Sequence, residues 1–129
     1  MTDAELETYA RHLSLPGVGM RGQETLLAVH VHVASETAWA DALRLALTRS
    51  GAHISDATGS APELWQVASG AHVGEIQFRE RDVAVGAIDA PARWLGALIA
   101  AEILWRALGH RPHAGLLRVV FPNFAFQAA

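Results

Sequence analysis

The sequence contains no cysteine. Disulfide frameworks, thiolate metal centres and a cysteine nucleophile are therefore excluded. Charge is sparse as well: 18% of the 129 residues are charged, and the formal net charge is −3. A near-neutral, slightly acidic chain lacks the basic surface that a phosphate backbone selects, which argues against nucleic acid as the main partner. No run is apolar enough to cross a bilayer. The nearest, Trp94 to Leu108, is short and carries Glu102 and Arg106. Met1 to Glu7 is acidic and polar, unlike the basic then apolar start of a secretory signal. These absences lead us to expect a soluble, cytoplasmic protein without a membrane partner. What is present is apolar: 51% of the residues. A chain of this length buries roughly two thirds of its unfolded surface, enough for one domain with one core.

The pattern of apolar residues reads as alternating helices and strands. Thr2 with Glu5 forms a capping box, and Leu6, Tyr9, Ala10 and Leu13 share one face of the helix that it would open. Leu15-Pro16-Gly17 ends that helix, and a second short one follows over 22–27. Residues 28–34, AVHVHVA, alternate with period two and predict a strand. Ser35 is the expected N-cap of the next helix, with Trp39, Ala42, Leu43, Ala46 and Leu47 as its stripe and Gly51 as its stop. A short strand at 53–55 completes a strand–helix–strand unit. Glu63 to Ala68 reads as one or two helical turns. Two strands, 73–79 and 82–87, flank the charged turn at Arg79-Glu80-Arg81. Pro91 opens the longest helix, 92–108, which is apolar nearly all round and so predicts burial on more than one side, as at a subunit interface. A strand over 116–121 and the run Phe124-Ala125-Phe126 close the chain.

Residues 5–33 read ELETYARHLSLPGVGMRGQETLLAVHVHV. Tyr9, Arg11, Leu15, Pro16, Gly19, Gly22, Gln23 and Leu26 fall in order without a gap. This resembles the opening of the ThiF/MoeB/HesA family, the ubiquitin-activating-enzyme-like adenylyltransferases: a Y-x-R-x-x-x-L-P helix and turn, then G-x-x-G-Q, then the first Rossmann strand. Asp56-Ala57-Thr58-Gly59-Ser60 is similar to the family's D-x-T-D-N motif, and residues 96–109 to its late helix. The family domain is about twice this long. The resemblance implies a reduced, Rossmann-like three-layer α/β domain with a mostly parallel sheet, divided into a helical arm (1–27) and a core (28–129).

The resemblance also implies a lost site. Family members bind ATP on a glycine loop after the first strand, where backbone amides at a helix N-terminus hold phosphate. Here that stretch is Ala34-Ser35-Glu36-Thr37, without a glycine. Near phosphate Glu36 would repel: two unit charges roughly 5 Å apart at an effective dielectric near 20 cost about 3 kcal/mol. ATP binding is expected to be lost, leaving no cofactor. The magnesium carboxylate of D-x-T-D-N is replaced by Gly59, although Asp56 fits the ribose-binding acid equally well. Arg11 matches the family arginine that one subunit lends to the ATP of the other, a role suited to its charged fork. The expected protein is thus a non-catalytic pseudo-enzyme subunit. It would form a homodimer or a heterodimer with a full-length family member, in carrier-protein or peptide activation. Tyr9, Trp94, Leu98, Trp105, Phe124 and Phe126 are the candidate interface residues.

Plainer readings stand beside this one. Glu7 and Arg11 make an ordinary helical i,i+4 pair. His30 and His32 share one strand face and could bind a metal, but no carboxylate lies near them in sequence, and structural histidines are the commoner case. His110 and His113 sit in an exposed loop. Asp56 and Asp89 could form a catalytic pair, but nothing in the sequence fixes their distance, and turn or cap roles are commoner. Glu102 and Arg106 would be an internally satisfied pair at the interface. Two alternatives to the pseudo-enzyme remain: a stand-alone homodimeric module for a peptide or carrier protein, and an enzyme with new chemistry at His30, His32, Glu36 or Asp56.

Overall fold

The computed structural model describes Thr2, Ala4 and residues 19–55, 64–110 and 114–128. Tyr9, Arg11, His113 and the segment 56–60 lie outside the described residues, and so do the expectations placed on them. The described chain runs α1 (Gly19–Leu27), β1 (His30–Ala34), α2 (Ala38–Arg49), β2 (His53–Ile54), β3 (Leu64–Ser69), β4 (Glu75–Arg79), β5 (Asp82–Val85), α3 (Ala92–Ala107), β6 (Ala114–Val120) and β7 (Asn123–Ala128). The seven strands form one sheet in the order β2-β1-β3-β5-β4-β6-β7. This is a mixed α/β, Rossmann-like domain.

The strand–helix–strand unit is built as the sequence predicts. β1, α2 and β2 form it, with His30 level with His53 in a parallel pair. β3 then crosses to the other side of β1, and β5 extends the parallel set. The other half is antiparallel, so the sheet is mixed rather than mostly parallel. The reason is local. Glu80-Arg81 and Phe121-Pro122 are two-residue connections, and a connection that short can join only antiparallel neighbours. Glu80 takes the left-handed conformation that such a turn needs (φ 54°).

Residues 64–69 correct the sequence reading. They form β3, a central strand, not helical turns. Trp65 and Val67 are buried toward the helices, while Gln66 is half-buried and Ala68 exposed. That is strand alternation, masked in sequence by the apolar Leu64 beside Trp65. The N-cap of α2 is also corrected: it is Thr37, not Ser35, and its side chain makes no capping bond.

α2 and α3 pack side by side on one face of the sheet. Leu43, Leu47, Ile99 and Ile103 are fully buried against Val31, Val67, Ile76 and Leu117. Each such side chain contributes roughly 1.5–3 kcal/mol relative to exposure. The helices cross at Gly96, where backbone meets backbone. Below them, the buried Gln23 of α1 donates through Nε2 to the Ser50 carbonyl at 3.1 Å, which ties α1 to the end of α2. Glu102 and Arg106 also depart from expectation. They lie on the buried side of α3, with Glu102 2% exposed, rather than on an outer interface. The opposite face of the sheet carries a shallow depression of about 670 Å³, lined by Gln66, Ala68, Gln77, Ala84 and Leu116 among others.

Candidate functional site

In an open α/β sheet the ligand crevice lies beyond the carboxyl ends of the strands, where successive strands depart to opposite sides. Here that point falls between β1 and β3, because β2 lies on one side of β1 and β3 on the other. The residues at its rim are Ala34-Ser35-Glu36-Thr37, which lead into α2, and Ser69-Gly70 at the end of β3. The Ser35 and Thr37 hydroxyls are 3.0 Å apart, and both Glu36 and Thr37 are exposed.

One residue organises this turn, and sequence reasoning missed it. The Arg44 guanidinium donates to the Val33 carbonyl at 2.9 Å and to the Ser35 carbonyl at 2.6 Å, both through Nη2. Its Nη1 meets Asp41 Oδ1 at 3.0 Å. A phosphate-binding turn directs amides at an anion. This turn instead directs two carbonyls at a cation that the chain itself supplies. The available sequence signal was Asp41 and Arg44 at i,i+3 one turn into the helix. Arg44→Ala should lower stability by about 1–2 kcal/mol, because bonds to a charged donor are lost at a partly exposed site. Arg44→Lys should recover only part of it, since an ammonium lacks the second nitrogen that lets Nη1 meet Asp41 while Nη2 holds both carbonyls. Urea denaturation of the two variants checks this.

The histidines lie on the depression side of β1 and β2. His32 Nδ1 donates to the Ser55 carbonyl at 2.8 Å, which fixes the ring's orientation. The rings of His30 and His53 stack with centroids 4.9 Å apart and an interplanar angle of 20°. Among the described residues, no group of three or more His, Asp or Glu side chains is gathered so as to hold a metal ion. Asp89 lies in the loop between β5 and α3. A second depression, about 380 Å³ and lined by Thr25, Trp65, Arg81 and Arg106 among others, lies at the opposite, amino ends of the parallel strands.

The candidate interface residues separate into two kinds. Leu98 and Phe126 pack partly into the core, as does Trp94. Phe124 is 46% exposed and Trp105 37%. His110 is exposed and stands edge-on to Trp105, with centroids 4.6 Å apart. Among the described residues, no helix is long and apolar enough to cross a membrane.

The chain matches no protein-family model, no curated protein and no solved structure.

Proposed function

We propose that this chain is a non-catalytic subunit, resembling the ThiF/MoeB adenylyltransferases, that serves chemistry performed elsewhere. It pairs with another subunit and assists the activation of a carrier protein or peptide. The settings that suit such a role are sulfur transfer, specialised metabolism and ubiquitin-like conjugation. One observation carries the reading: the turn after β1 has no glycine, and Arg44 holds its Val33 and Ser35 carbonyls. Side chains stand where a nucleotide needs bare backbone, and Glu36 adds a charge of the wrong sign.

A second reading, a stand-alone homodimeric module that binds a peptide or carrier protein, is favoured by the depression on the sheet face opposite α2 and α3 with its Gln66 and Gln77 amides. Calorimetry of the purified chain with ATP and magnesium is expected to show no uptake. Stoichiometric binding would overturn the first reading. Pyrophosphate exchange by an active full-length relative then separates them. The first reading requires a faster rate when this chain is added, and the second requires no change.

A further inference from the structure

The depression at the amino ends of the parallel strands is a small pocket with an unusual lining. It lies between the last turns of α1 and α3 and holds about 380 Å³, the small end of the range for ligand sites. Ala28, Val29 and Trp65 give it apolar walls, and Arg81 and Arg106 bring two guanidinium groups to it. No carboxylate is among the described residues that line it. Arg81 is exposed in the turn before β5. The Arg106 side chain is nine-tenths buried. The Phe78 ring lies 3.9 Å from its guanidinium carbon, and Glu102 stands 3.6 Å from its Nε, so the group is held in place before any ligand arrives. A cation in the last turn of a helix ordinarily answers the free carbonyls there, and does so from the surface. At this pocket those carbonyls are already occupied. The amides of Leu108, Gly109 and His110 donate to the Leu104, Arg106 and Trp105 carbonyls, and the amides of Ala28 and Val29 close the end of α1 on Thr25 and Leu26. A buried ion pair adds little net stability either. The charge of Arg106 is thus required neither by the helix end nor by the core, and it stands at the wall of a cavity.

The geometry points to this pocket as a binding site for a small organic carboxylate with an apolar body. Charge selects the acid group. Two guanidinium groups against the one carboxylate of Glu102 leave the site with a single positive charge, which a monoanion neutralises. A phosphate dianion would bring one charge more than the site offsets, beside groups that are out of water. Shape selects the same group, because a guanidinium meets two coplanar oxygens with two parallel bonds. The walls select the body: a ring or short hydrocarbon chain gains by leaving water against Val29 and the buried Trp65. Size confines it to a single small ring or a chain of similar bulk. The pocket lies at the other end of the strands from the turn that Arg44 holds, so this assignment does not rest on the reading proposed above. Uptake of ATP would leave it in place.

The test is a titration of the isotope-labelled full chain with benzoate at constant ionic strength, followed by nuclear magnetic resonance. The signals of Ala28, Val29, Trp65 and Arg81 should move together and saturate, with half-saturation at about a millimolar. Benzamide, which has the same shape without the charge, should bind about tenfold more weakly, and inorganic phosphate should also bind about tenfold more weakly. Arg81→Gln should weaken benzoate about tenfold. Ala28→Phe, which places a ring in the pocket mouth, should abolish binding. Both positions are exposed, so the circular dichroism of the two variants should match that of the parent. Benzoate that moves no signals saturably would overturn the site, and so would binding indifferent to Arg81→Gln or to Ala28→Phe. Benzamide or phosphate that binds as tightly as benzoate would overturn the assignment of a carboxylate.

Discussion

Replacing Gly96 with valine should lower the stability of the domain by about 3 kcal/mol or more, against a background in which glycine is ordinarily a poor helix residue. Two effects oppose each other here. Removing glycine from the middle of α3 stabilises the helix itself by about 1 kcal/mol. A Cβ at this position, however, would stand 2.6 Å from the Ala42 Cβ, 2.6 Å from the Leu43 nitrogen and 2.8 Å from the Ala42 carbonyl carbon. Two of those three atoms are backbone, so no rotamer change relieves the contact and the helices must move apart. Crowding of this kind costs about 1–3 kcal/mol for small insertions, and separating α2 from α3 also loosens the buried layer of Leu43, Leu47, Ile99 and Ile103. Crowding therefore outweighs propensity. Gly96→Ala should be destabilising by about 1–2 kcal/mol, and Gly96→Val by more. In thermal melts the valine variant should fall by roughly 10 °C or more. A melting temperature equal to or above that of the parent would mean that the helices do not cross this closely.

The elements that were legible in sequence are those whose periodicity is uninterrupted. The Val–His alternation of β1, the stripe of α2 and the long apolar α3 each have a single consistent spacing. The charged turn at 79–81 also read correctly, because flanking strands and a turn left no other assignment. β3 failed because Leu64 and Trp65 are both apolar and adjacent. One is buried on each side of a central strand, so the alternation disappears just where the strand lies deepest. The mixed direction of the sheet was hidden for another reason. It depends on connection length, and the two-residue turns appear only once both neighbouring strands have been placed.

The candidate site was legible in what it lacks and not in what fills it. The missing glycines of residues 34–37 could be read directly. Arg44 could not, because its partners are the Val33 and Ser35 carbonyls and backbone acceptors leave no trace in a sequence. The same holds for His32, whose ring is held by the Ser55 carbonyl. Trp94 shows the same limit, because Phe121 and Phe124 meet it only where the β6–β7 turn brings them.

Breaking the Glu102–Arg106 pair is the other change with a large expected effect. Arg106 Nε lies 3.6 Å from Glu102 Oε1, with side chains 10% and 3% exposed. The Arg106 guanidinium carbon sits 3.9 Å above the centre of the Phe78 ring, and each partner makes a further interaction. At that separation the attraction is about 4–5 kcal/mol for an effective dielectric near 20. Desolvating each ion costs several kcal/mol. The two terms are of similar size, so the pair adds little net stability while each member depends on the other. Glu102→Leu alone should therefore destabilise by about 3–5 kcal/mol, and Arg106→Met alone by a similar amount, because each leaves a charge in the core without its main counterion. The double variant should regain most of the loss, as apolar side chains of similar volume need no counterion. A double-mutant cycle measured by urea denaturation gives the coupling directly, with a value of about 2 kcal/mol or more expected. A coupling near zero would mean that other groups hold each charge, and that the pair is not why two ions lie on the buried side of α3.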